Sequence, residues 1–110
     1  MNSHEHTPLS AVVFQILLAM SDGHEHGYAI GKAVAEMSGL KMGPGTIYGS
    51  LQRMERDGLV EEAETRASDR RKPFAMTAHG RRVLHLEASR IDRLAALARS
   101  RDLVPGTDGA

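Results

Sequence analysis

Residues 43–64 read GPGTIYGSLQRMERDGLVEEAE, a stretch that decides the fold because it joins one amphipathic helix to a β-branched strand through a glycine. Ile47, Leu51 and Met54 recur at i, i+4 and i+7, so they share one helical face that can rest on a core. The opposite face carries Thr46, Gly49, Gln52, Arg53 and Arg56, small and hydrogen-bonding near the start and cationic further along. Pro44 suits the first helical position, where no backbone donor is lost, and Gly58 suits the left-handed residue after the last turn. Leu59 and Val60 then open a strand. A helix marked at both ends and running straight into a strand predicts a groove-reading helix followed by a wing.

Working outward, the chain divides at turn signals, without internal repeats. Leu9, Val13, Ile16, Leu17 and Met20 predict a first helix, closed by Ser21, Asp22 and Gly23. Ile30, Val34 and Met37, with Ala33 alongside, predict a second that ends near Gly39. Downstream, Phe74, Ala75 and Met76 read as the return strand of a hairpin whose turn, residues 65–72, is polar and arginine-rich. Thr77 is placed to cap a long fourth helix, in which Leu84, Ala88, Ile91, Leu94, Ala95 and Ala98 recur in threes and fours until Pro105 and Gly106 stop it. The expected fold class is mainly α with a small β-hairpin. A flexible N-terminus over residues 1–8 precedes a winged helix-turn-helix over 9–76, a C-terminal dimerisation helix over 77–104 and a disordered tail over 105–110.

A chain of 110 residues supports a single domain, and one this small buries only about 60–70% of its unfolded surface, so a partner subunit would add stability. The absence of cysteine removes disulfides, thiolate metal sites and thiol redox switching. No apolar run approaches the ~20 residues of a membrane span, and the first residues lack the cationic start of a signal peptide, so a cytoplasmic protein without membrane contact is expected. Formal net charge is zero, with 14 Lys and Arg against 14 Asp and Glu, which at first counts against a nucleic-acid partner. The distribution counts for it. Residues 1–40 hold Lys32 against Glu5, Asp22, Glu25 and Glu36, whereas the positive charge gathers in residues 41–82, around the helix and wing.

The ordered set of residues resembles the phenolic-acid-decarboxylase regulator family, PadR, in its short single-domain form. Gly27, Tyr28 and Ile30 match at the opening of the second helix. Gly45, Thr46, Ile47, Tyr48, Leu51, Arg53, Glu55, Gly58, Leu59 and Val60 match around the third, and Arg70, Arg71, Lys72, Phe74, Thr77, Gly80 and Leu84 continue the pattern. The resemblance spans roughly Leu9 to Leu84 and implies a dimeric transcriptional regulator, commonly a repressor. In such a protein the third helix enters the major groove of an operator, the wing touches the backbone, and the last helix pairs two chains. Members that hold flat aromatic drugs between their last helices use tryptophan there, and this chain has none.

Chemistry gives each expected DNA contact a role and a plainer alternative. Thr46 and Tyr48 lie in the first turn of the third helix, where hydroxyls and free N–H groups meet a phosphate, unless Tyr48 is a packing residue. Gln52 suits adenine by geometry, whereas Arg53 suits guanine, a phosphate or an ion pair with Asp57. Gly49 lowers helix stability by up to about 1 kcal/mol relative to alanine, which points to close approach by DNA or by another helix. Arg66, Arg70, Arg71 and Lys72 form the wing's cationic cluster, or a solvated face offset by Glu61, Glu62, Glu64 and Asp69. Arg81 and Arg82 add either phosphate contacts or solvent-facing charge. Leu84, Ala88, Ile91, Leu94, Ala95 and Ala98 are the expected dimer contacts, since a lone last helix would leave that stripe exposed.

The remaining motifs weigh less. His4, Glu5 and His6, and again His24, Glu25 and His26, place imidazoles on one side of an extended segment, as a zinc or nickel sensor would. One triplet lies in the N-terminus and the other in a turn, so no metal site is expected and metal sensing stays the weaker alternative. Met20, Met37, Met42, Met54 and Met76 read as core filler. No serine lies in a nucleophile elbow and no strand precedes the glycines of residues 43–49, so neither catalysis nor a cofactor is expected. A winged helix that binds a protein, an alternative that the neutral net charge keeps open, is the second functional class. The partners expected for the first are an operator duplex, a second copy of the chain and a small-molecule effector whose identity the sequence does not give.

Overall fold

A computed structural model describes residues 8–64 and 72–105. The element order is α1 (Ala11–Ser21), α2 (Gly27–Ser38), α3 (Pro44–Arg56), β1 (Val60–Glu62), β2 (Phe74–Met76) and α4 (Ala78–Ser100). The strands pair antiparallel, with Val60 opposite Met76 and Glu62 opposite Phe74. This arrangement is a winged helix, mostly helical, with a two-stranded wing.

Local chemistry sets the ends of the helices. The Ser10 hydroxyl accepts from the Val13 amide and starts α1, and the Thr77 hydroxyl accepts from the Gly80 amide and starts α4. At the close of α3, Gly58 adopts φ +77°, a conformation that penalises any Cβ. The amides of Gly58 and Leu59 then return to the carbonyls of Glu55 and Met54, which satisfies the helix end and aims the chain into β1. The α4 helix ends with the same pair of bonds, Asp102 to Arg99 and Leu103 to Ala98, with Asp102 at φ +58°. It therefore stops at Ser100, short of the expected residue 104, because a left-handed turn reverses the chain before Pro105.

The core gathers Ile16, Leu17 and Ala19 of α1, Ile30 and Val34 of α2, Ile47, Leu51 and Met54 of α3, and Leu59, Val60, Phe74 and Leu84. Each helix contributes the stripe that its spacing marks. Met37 departs from expectation, being exposed at the far end of α2 instead of filling the core. A further departure lies before α2, where the His24–His26 triplet reads as a turn. His26 bridges antiparallel to Pro73, and the Phe74 amide donates to the Glu25 carbonyl, so this segment adds a short third edge to the wing.

Thr77 joins α4 to the hinge between α3 and β1. Its hydroxyl lies 2.6 Å from the Gly58 carbonyl oxygen, and its amide donates to the Leu59 carbonyl at 3.0 Å. Gly80, one turn on, lies so close to that strand that a Cβ there would sit 2.1 Å from the Leu59 carbonyl oxygen. The start of α4 and the hinge of the recognition unit are thus held against each other.

Candidate nucleic-acid interface

Burial of Ile47, Ser50, Leu51 and Met54 fixes the roll of α3 about its axis, which decides what the opposite side presents. At 100° per residue, Thr46, Gly49, Gln52, Arg53 and Arg56 fall within an arc of about 120°. All but the half-buried Gly49 are exposed. The N-cap, Gly43, supplies no side-chain acceptor, and Pro44 follows it. The amides of the exposed first turn are therefore available to an anion.

Arg53 and Gly49 belong together on this face. The Arg53 guanidinium donates to the Ser50 hydroxyl at 3.3 Å and folds back along the helix. A Cβ at Gly49 would meet only Arg53 Nη1, at 3.8 Å. Among the described residues no other helix comes within 4 Å of a Cβ at this glycine, and no ion pair joins Arg53 to Asp57. Among the described residues, the space over Gly49 is bordered only by the Arg53 guanidinium.

Tyr48 stands apart from that face. Its ring lies against α2, so close to Gly27 that a Cβ there would sit 2.6 Å from Tyr48 Cζ. Half-buried at the junction of α2 and α3, it packs as the plainer alternative has it, with its ring on the flank of the helix and not on the Thr46 side.

Of the wing's cationic cluster, Lys72 is described, while Arg66, Arg70 and Arg71 lie outside the described residues. Lys72 Nζ pairs with Glu62 at 3.2 Å across the base of the hairpin, so part of its charge is neutralised locally. Both groups are well exposed, and solvent screening keeps such a pair weak. Arg81 and Arg82 are exposed in the first turns of α4, with Arg82 beside His79.

The six expected dimer residues on α4 divide into two groups. Leu84, at 7% exposure, lies in the chain's own core, a correction to its place on a surface for a partner. Ala88 is exposed, Ile91 and Leu94 are 37% and 51% exposed, and Ala95 and Ala98 are half-buried. Leu86 and Leu97, which the periodicity did not single out, are exposed as well. Beyond Glu87 no residue of α4 is buried, so roughly 20 Å of helix leaves the core carrying apolar side chains.

Glu87 interrupts the apolar stripe of α4. Its carboxylate is buried and receives Arg90 in a two-pronged contact, Nε to Oε1 at 2.9 Å and Nη2 to Oε2 at 2.6 Å. That hydrogen bonding, reinforced by the charge of Glu87 and opposed by partial burial, holds the Arg90 guanidinium above its ordinary value. The signal for this pair in the sequence is a carboxylate where the stripe requires an apolar residue, with arginine three positions on.

Among the described residues no three His, Cys, Asp or Glu side chains converge as a metal would need, and His4, Glu5 and His6 lie outside them. No described helix is long and apolar enough to cross a membrane.

Residues 16–86 match the model of the transcriptional regulator PadR-like family. The 37.1 kDa protein in transposon TN4556 of Streptomyces fradiae is 43% identical over 79 residues, 72% of this chain, and the chain spans 22% of that protein's length. Among solved structures, a PadR family transcription regulator from hypervirulent Clostridium difficile superposes with a TM-score of 0.73. Its identity is 22%, and the match covers 83% of this chain and 97% of that one. A PadR-like regulator of Bacillus cereus gives 0.71 at 22% identity over 86% and 92% of the two chains. The PcaV regulator of Streptomyces coelicolor gives 0.69 at 21% identity over 80% and 61%.

Proposed function

The chain belongs to the PadR-like family of transcriptional regulators, and from that premise we propose that it is a repressor that binds a palindromic operator as a homodimer. The observation that carries this reading is α3, with its back fixed in the core and its outward arc of Thr46, Gly49, Gln52, Arg53 and Arg56 uncovered by any other described element. Two copies pair through the projecting part of α4, using Ile91, Leu94, Ala95 and Ala98. Two-fold symmetry then offers two α3 helices to successive major-groove faces roughly 34 Å apart. Thr46 and the first-turn amides take a phosphate, Gln52 and Arg53 face base edges, and Lys72 with Arg66, Arg70 and Arg71 extends the contact along the backbone. A small-molecule effector releases the operator by favouring a state of the protein that binds DNA poorly. PcaV has been seen with its natural ligand, which supports including a ligand in the scheme.

Substitution separates base reading from backbone contact. Arg71→Ala is expected to weaken binding to all sequences and to lower the slope of log affinity against log salt by about 1. Gln52→Ala or Arg53→Ala is expected to cost about 1–3 kcal/mol at particular base pairs and little at others. Anisotropy titrations against single-base variants of the operator distinguish the two, and a uniform loss for all three substitutions would reduce them to phosphate contacts.

A further inference from the structure

The Thr77 hydroxyl makes more bonds than a helix cap requires. A cap needs only to accept from a first-turn amide, and the Gly80 amide supplies that bond at 2.9 Å. The same hydroxyl also reaches back to the Gly58 carbonyl at 2.6 Å and the Leu59 carbonyl at 3.2 Å, while the Thr77 amide donates to Leu59 at 3.0 Å. These two carbonyls belong to the turn that ends α3 and opens β1, with Gly58 at φ +77°. One turn into α4, Gly80 is buried against the Leu59 carbonyl, which leaves no room for a Cβ. Thr77 and Gly80 thus form a clasp between the helix that carries the exposed apolar stripe and the hinge that joins α3 to the wing.

From this geometry we propose that the clasp fixes the angle between α4 and α3 and so sets the half-site spacing that the operator must have, with Thr77 and Gly80 as positioning residues. The inference rests on the reading of the chain as a dimeric repressor, and it separates two kinds of specificity. Gln52 and Arg53 choose the half-site, and the clasp chooses its distance from the second. The middle of the stripe from Ile91 to Ala98 lies about 20 Å beyond Gly80 along the helix. A tilt of about 10° at the clasp therefore moves the pairing surface by about 3.5 Å, close to the rise of one base pair, and two-fold symmetry applies it twice. The core packing of Leu84 tolerates such a tilt, because apolar burial is non-directional, whereas hydrogen bonds weaken steeply as their angle closes. Directional bonds at the foot of a long lever are what a fixed spacing needs.

The test compares three variants of the full chain at a temperature where circular dichroism shows each folded. Thr77→Val removes the hydroxyl and keeps the shape, Thr77→Ser keeps the hydroxyl, and Gly80→Ala wedges α4 away from Leu59. Because the chain has no cysteine, Gln52→Cys and Arg93→Cys introduced together take one spin label on α3 and one on α4. Double electron–electron resonance in excess unlabelled chain then reads the separation within one protomer, independently of dimerisation and of DNA. One narrow distance is expected for the unsubstituted chain and for Thr77→Ser, a broadened distribution for Thr77→Val, and a mean displaced by about 2–3 Å for Gly80→Ala. A second arm titrates palindromic duplexes from the DNA flanking the gene, with half-sites moved by one base pair either way, and an isolated half-site. Each base pair of displacement should cost the unsubstituted chain and Thr77→Ser about tenfold in affinity and Thr77→Val less than about threefold, whereas Gly80→Ala should move the optimum. All should bind the isolated half-site alike. A distribution or a spacing profile unchanged in Thr77→Val overturns the proposal. So does an equal loss at every spacing and at the isolated half-site, which would leave Thr77 a stabilising residue only. If Thr77→Val does not fold, Gly80→Ala decides, an unmoved distance and optimum overturning the proposal. If the labels respond as expected but no duplex is bound, the repressor reading fails, and the spacing role with it, while the clasp's hold on the angle stands.

Discussion

Thr77 makes four hydrogen bonds with one side chain and one amide, capping α4 and fastening it to the carbonyls of Gly58 and Leu59. Thr77→Val removes the cap and the bond to the hinge while keeping the shape, and is expected to lower stability by about 1–2 kcal/mol in urea denaturation. Gly80→Ala should also destabilise, because a Cβ 2.1 Å from the Leu59 oxygen forces the backbone apart, and overpacking of this kind costs about 1–3 kcal/mol. A gain of stability from alanine's better helix propensity would contradict the contact. Thr77 was legible in the sequence as a cap, since its residue type and place before a periodic run are local signals. Gly80 was legible only through the family pattern, because its reason is a neighbour far along the chain. Glu87 and Arg90 are a local pair three residues apart, but the burial of the carboxylate was not legible, because it depends on which neighbours cover that turn of α4.

At the scale of elements, α4 serves the protomer and then leaves it. Its first turns bury Gly80, Leu84 and Glu87, and its remainder carries Ile91, Leu94 and Leu97 out of the core. Aspartate substitution separates the two halves. Ile91→Asp is expected to yield folded monomers in sedimentation velocity, whereas Leu84→Asp, which places a charge in the chain's own core, should abolish cooperative unfolding or lower stability by about 3 kcal/mol or more. A dimer that survives Ile91→Asp would remove α4 from the interface. The spacing of apolar residues showed the whole stripe but not where the core ends along it, because periodicity carries no information about which neighbour covers each turn. The wing posed the opposite difficulty. Its two strands were legible from Val60 and Phe74, but the third edge at Glu25 and His26 required a pairing across distant residues.

Taken as a whole, the chain is extended for its length, with a radius of gyration of 15.9 Å against about 13 Å for a compact domain of about this size. Beyond Glu87, α4 is the described element that leaves the core, with Ile91, Leu94 and Leu97 exposed along it. With no net charge to attract DNA at a distance, the proposed operator binding rests on a small set of placed cations, Arg53, Arg56 and Lys72 among the described residues. Binding should therefore be sensitive to both sequence and salt. The most direct measurement is a fluorescence-anisotropy titration of the full chain against the DNA flanking its own gene and against a scrambled duplex, each at two salt concentrations. Tight binding to the flanking DNA that weakens at the higher salt, with the scrambled duplex bound at least about a thousandfold more weakly, is the predicted result. Equal affinity for both duplexes, or no binding at the lower salt, would contradict the account and favour a protein as the partner of α3.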